Sequence, residues 1–325
     1  MTSLVWILAL ALAADDTLYS ANTVRHDPAE KEAIRILLQQ GVQLNLNGKG
    51  QTTQVFFKAG ERPPKDALSA LESFTRLDSV SFVRSEVQDD DFQFIAPLQQ
   101  IRWIDLTRTK IGDAGLQHLA GLTLLTCINL ESPNVTDAGL AALAKMAGLH
   151  ILRLNGTKIG DVGLTHLSGM KSLFHLELKG AAVTDAGAQI LGKLDGLTHL
   201  DLSGTAIADV GIASLGGLRK LKVLGLDGTK VTDQALATLL GFQMDASLQV
   251  LYLADTGVTD AGAKLLGQMG NLQVLNLSGT KLTNTGLTYL LGLTKLYNLC
   301  ASGSRVTDAG KAEFTARHPR VKSIQ

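Results

Sequence analysis

The chain has 325 residues, with 30 lysines plus arginines against 30 aspartates plus glutamates, so its formal net charge is zero. That balance disfavours a nucleic-acid binder, which needs a basic excess to displace phosphate counterions. Aromatics at 5% leave few rings for base stacking, and two cysteines 173 positions apart, Cys127 and Cys300, carry neither disulfide-framework nor metal-type spacing.

At the amino terminus, Leu4 to Ala13 reads LVWILALALA and ends in a small-x-small pattern at Ala11-Leu12-Ala13. This is an export-signal pattern, and the run is too short for a bilayer span of about 20 residues. Residues 1–14 are read as a signal peptide, an uncleaved anchor or a buried helix being the other readings. Export to the periplasm, the cell surface or the medium is expected, with no stable membrane span once the signal is removed. Residues 15–27 read as a polar linker.

Residues 28–76 read as an amino-terminal cap. Pro28 to Gln40 has helical periodicity, with Ile34, Leu37 and Leu38 on one face and Gly41 ending it. Val42 to Leu46 and Thr53 to Phe57 alternate and are separated by Asn47-Gly48, which predicts a hairpin; Asp66 to Leu77 predicts a second helix. Such a cap keeps the first apolar edge of a repeat array from water.

From Leu77 a unit recurs, its first apolar position falling at Leu77, Ile101, Leu125, Leu149, Leu173, Leu197, Leu221, Leu248, Leu272 and Leu296. The step is 24 residues, with a single step of 27 that places extra residues at Gly241 to Ser247. A local bulge there or a partner contact would each explain them. Each unit runs LxxLxLxxT and then Asp-x-Gly-[Leu/Ala]-x-x-Leu, so alternation marks a short strand and the aspartate the N-cap of a helix. The strand leucines should build one core. The threonines (Thr109, Thr157, Thr205, Thr229, Thr256, Thr280) should form a hydrogen-bonded ladder between units, broken at Pro133 and Ala181. Residues 319–325 read as a closing strand. Parallel strands at about 4.8 Å would hold the cysteines roughly 30 Å apart, too far for a disulfide.

This pattern resembles the leucine-rich repeat over residues 77–318, about ten units. Val135-Thr136-Asp137-Ala138-Gly139-Leu140 is similar to the turn of its cysteine-containing subclass, though with threonine at the strand end and units shortened to 24 residues. The resemblance implies a right-handed α/β horseshoe solenoid, with a parallel sheet on the concave face and helices on the convex face. It also implies a non-catalytic scaffold that binds a protein partner.

Specificity should then lie in the strand residues that do not repeat. The expected partner-binding set is Trp103, Asp105, Asn129, Glu131, Arg153, Asn155, His175, Glu177, Lys179, His199, Asp201, Asp227 and Tyr252. Trp103, Arg153 and Tyr252 would be the anchors, as large aromatics and arginines usually are. Two further readings are an envelope receptor for a glycan or small ligand, centred on Trp103, Asp105, Asn129 and Arg153, and a metal or enzymatic site at His175, Glu177, His199 and Asp201. No phosphate loop, nucleophile elbow or His-Glu-x-x-His occurs, so no cofactor, metal or catalytic residue is assigned.

Overall fold

The computed structural model describes residues 27–324. The expected signal peptide and nearly all of the expected linker lie outside these residues. Residues 27–149 and 150–324 form two compact units.

In the first unit, helix Pro28–Gln39 starts where the Asp27 side chain accepts the Ala29 N–H at 3.0 Å, with Pro28 needing no donor partner. Strands β1 (Gln43–Leu46) and β2 (Thr52–Phe56) form the expected antiparallel hairpin. From β2 the pairing turns parallel, to β3 (Ser79–Ser81), β4 (Trp103–Asp105) and β5 (Cys127–Asn129). The predicted 66–77 helix is shorter than expected: Lys65–Ser69 is α-helical and Ala70–Ser73 tightens to a 3₁₀ turn. Phe74 then adopts an extended backbone and is fully buried, which stops the helix.

The second unit repeats one motif through β6 (Ile151–Arg153), β7 (His175–Glu177), β8 (His199–Asp201), β9 (Val223–Gly225), β10 (Val250–Tyr252), β11 (Val274–Asn276) and β12 (Asn298–Cys300). Neighbours pair in parallel, in register, at equivalent repeat positions. The middle residue of each strand is a leucine with at most 1% exposure, so these side chains stack into the core. Each fully buried leucine contributes on the order of 2 kcal/mol. After most of these strands the chain turns through a left-handed residue, which glycine adopts without a Cβ penalty, as at Gly204 (φ 68°) and Gly228 (φ 66°).

Two expectations about the repeated polar residues are corrected. The aspartates are not N-caps. They occupy the first helical position, and the residue before them caps: Thr184, Thr232, Thr259 and Thr283 each accept the N–H two residues on, at 3.2–3.3 Å. Nor do the strand-end threonines join neighbouring units. Thr157, Thr205, Thr229, Thr256 and Thr280 donate to the carbonyl three residues back in their own unit, at 2.6–2.7 Å.

The inter-repeat ladder is instead built by the aspartates. Asp161, Asp209, Asp233 and Asp260 each accept the backbone N–H of the next repeat's cap threonine at 2.8 Å and its hydroxyl at 2.6–2.7 Å. Asp113 does the same for Thr136 in the first unit, while Asn284 accepts the Thr307 N–H through its amide oxygen and donates its amide N–H to the Thr307 hydroxyl. The carboxylate lies so close to the next Asp-x-Gly glycine that a Cβ on Gly262 would sit 2.2 Å from Asp233 Oδ1.

The long repeat absorbs its extra residues locally. Helix Asp233–Gly241 runs on, Gln243 turns left-handed (φ 58°), and Met244 opens a 3₁₀ turn while burying its side chain. At the carboxy end, Ile324 forms a single parallel bridge to Leu299 in place of a full closing strand. Helix Asp308–Arg317 closes with Phe314 stacked on His318, whose Nε2 lies 2.9 Å from the Leu293 carbonyl oxygen.

Candidate functional site

Alternation along each strand sends the leucine inward and its two neighbours to the open face of the sheet. In the first unit that face carries Trp103, half-buried, and a closed polar pair. Asn129 donates to Asp105 at 2.9 Å while Asp105 accepts the Thr107 N–H at 3.0 Å, and both side chains are buried. Glu131 lies 4.0 Å from Arg108. Asp105 and Asn129, central to the glycan reading, thus spend hydrogen-bonding capacity on the fold.

In the second unit, Glu177 is the hub of a network on β6 and β7. Arg153 Nε donates to it at 2.8 Å, Asn155 at 2.6 Å, and His175 Nε2 lies 2.7 Å away. Burial acts to raise the Glu177 carboxyl, but the bonds from His175, Arg153 and Asn155 outweigh it and hold the carboxyl down at about 2. Asn155 is fixed in turn by accepting the Lys179 N–H at 3.0 Å.

His175 stacks on His199, with ring centroids 5.0 Å apart and planes within 8°. His199 Nδ1 lies 2.8 Å from the Thr198 hydroxyl. Its pKa is lowered by burial first, then by the neighbouring His175 and Lys222, which favours the neutral ring. Beyond it, Asp201 accepts the Ser203 N–H at 2.9 Å and Asp227 accepts the Ala254 N–H at 2.6 Å. Tyr252 stands 36% exposed. His175, Glu177, His199, Asp201 and Tyr252 line an open depression of about 160 Å³, together with Val223 and Gly225.

The structure therefore brings together Arg153, Asn155, His175 and Glu177 in one network, and His199, Asp201 and Tyr252 around one depression. Val223 and Gly225, strand positions of the same face, were outside the expected partner-binding set, because what they contribute is a floor and a missing side chain. No group of three or more His, Cys, Asp or Glu side chains suited to hold a metal ion occurs among the described residues.

Because the folded-state pKa of Glu177 lies below the unfolded value of about 4.3, its stabilisation is present above that pH and is lost as pH falls toward 2. Glu177→Gln is expected to cost about 1–2 kcal/mol at neutral pH, after allowing for solvent screening, and to flatten the decline of stability below pH about 4.5. Urea midpoints measured against pH check both effects.

Comparison with known proteins agrees with the fold. The family described as "Leucine Rich repeat" matches residues 197–216, 245–267 and 270–291. The sequence matches none of the curated proteins. Among solved structures, an internalin from Listeria monocytogenes is similar over 87% of this chain and 91% of its own, at 21% identity and a TM-score of 0.60. A leucine-rich-repeat protein of Leptospira interrogans matches 80% of this chain and 74% of its own, at 17% identity and TM-score 0.51. The mouse RP105/MD-1 complex matches 79% of this chain at 17% identity and TM-score 0.57, this chain spanning only 44% of the mouse one. No described helix is long and apolar enough to cross a membrane. The chain carries leucine-rich repeats and folds as a leucine-rich-repeat solenoid.

Proposed function

We propose that this protein is a non-catalytic scaffold that recognises a protein partner with the open face of its sheet, the concave face of the expected horseshoe. One observation carries the reading. On that face, β8 to β10 present His199, Asp201 and Tyr252 around an open depression, while core and ladder are built by other residues. A partly exposed tyrosine beside charged groups is the kind of anchor that dominates protein interfaces. The mouse RP105/MD-1 complex, of the same fold, is a protein–protein assembly. The amino-terminal apolar run supports export, and the Val-Thr-Asp-x-Gly-Leu turn supports grouping the repeats with the cysteine-containing subclass.

The test is co-precipitation with the cross-linked native partner, comparing Tyr252→Ala with Val210→Asp on the helix side, where Val210 is 71% exposed. Tyr252→Ala is expected to weaken capture at least about tenfold, as loss of an interface anchor does, and Val210→Asp to leave it unchanged. The reverse pattern would contradict the proposal.

A further inference from the structure

Between β8 and β10 the row of open-face residues loses a side chain. Gly225 pairs with Asp201 on one side and Tyr252 on the other. A Cβ built on Gly225 would lie 2.3 Å from Asp201 Oδ1 and 3.0 Å from Ser203 Oγ, so glycine is what lets the Asp201 carboxylate lie at the edge of this notch. The floor is Val223 and the Gly225 backbone, one wall is the Tyr252 ring, and the opposite wall is Asp201. The whole depression, which His175, Glu177 and His199 also line, measures about 160 Å³, room for about five waters and so for the five heavy atoms of a lysine side chain beyond its Cα.

Two carboxylates stand at or beside this notch, Asp201 on its wall and Asp227 two residues beyond Gly225. Among the described residues, the ion pairs of this part of the face are Arg153–Glu177 and His175–Glu177, which leave Asp201 and Asp227 outside them. Burial, then the Asp201 and Asp255 charges, raise the Asp227 carboxyl against the pull of the Ala254 N–H and Lys179. Burial, then Asp227 and Asp201, likewise raise the Tyr252 hydroxyl, so both carboxylates act on that ring.

Resting on the protein-recognition reading, we propose that this notch takes a basic side chain, lysine or arginine, projected by the partner polypeptide. Its aliphatic stem lies on Val223 and the Gly225 backbone, its cation faces Asp201 and Asp227, and its flank packs against Tyr252. Three features select this occupant. The apolar floor suits methylenes, the aromatic wall attracts a cation to its face, and carboxylates outside those ion pairs repel anions and leave a neutral group unrewarded. A bare metal ion would have no use for the floor or the ring, and no three-ligand group stands there among the described residues.

The experiment is amide NMR of the full chain titrated with Nα-acetyl-lysine N-methylamide and with its norleucine analogue. The lysine probe is expected to shift the Asp201, Gly225 and Tyr252 amides saturably in the millimolar range, and the norleucine probe to bind at least about tenfold more weakly. Asp201→Asn combined with Asp227→Asn should weaken the lysine probe by about the same factor, with the melting temperature and remaining amides unchanged. Equal shifts from norleucine, or no saturable shift at those amides in the wild type, would overturn the proposal. Either result leaves the recognition reading standing if Tyr252→Ala still weakens capture of the partner at least about tenfold. A lysine response alongside capture indifferent to Tyr252→Ala would instead sink the recognition reading and, with it, the partner assigned to the notch.

Discussion

Leu251→Ala is expected to lower stability by about 2–5 kcal/mol, the largest effect of any single substitution considered for this chain. Leu251 is fully buried at the centre of β10, flanked in register by Leu224 on β9 and Leu275 on β11. Both neighbours belong to other repeats, so the cavity left behind is shared by three units and none can close it alone. Leu251→Ile, which conserves volume, should cost less than about 1.5 kcal/mol. Urea unfolding of the two variants decides the matter. A loss below about 1 kcal/mol for the alanine variant would mean that this row is not the continuous core described above.

Asp260→Ala should cost about 2–3 kcal/mol, although the residue has no ion pair among the described residues and lies on the helix side. Its carboxylate satisfies both the N–H and the hydroxyl of Thr283, which in turn caps the helix Asn284–Leu290 through the Thr285 N–H. Removing it strands two donors and loosens a cap one repeat away. Asp260→Asn should recover much of the loss, because Asn284 already performs this task for Thr307. A second internal control is Ala235, which stands where other repeats have glycine while Asp209 still bonds Thr232. A tolerant response to Asp260→Ala, within about 0.5 kcal/mol of wild type, would return the aspartates to the status of ordinary surface residues.

The repeat spacing made most of this architecture legible. The alternation that follows each first leucine marked a short strand in every repeat, and the structure places it at the third to fifth positions, as in Val250–Tyr252, because alternation and burial are local properties that leucine spacing encodes. The ladder was not legible in the same way. Asp260 and Thr283 are 23 residues apart, so a local capping rule assigns the aspartate to its own helix and misses its true partner in the next one. Thr256 misled in the opposite direction, since its constancy suggested a bond between units where the hydroxyl satisfies its own turn. At the open face, the charged residues around Glu177 could be named from sequence. That Asn155 completes its shell, and that Gly225 lets the Asp201 carboxylate lie at the edge of a notch, follow only from strand pairing and from the space a missing side chain leaves.

Partner recognition through the open face of the sheet is most directly tested by photo-crosslinking. A benzophenone amino acid would be placed at Asn276, on that face of β11 beside Tyr252 on β10, and separately at Val210 on the helix side. After irradiation with the native partner, mass mapping is expected to find the partner joined through position 276 and not through position 210. Crosslinks arising only from position 210, or equally from both, would contradict the assignment of the sheet face as the recognition surface.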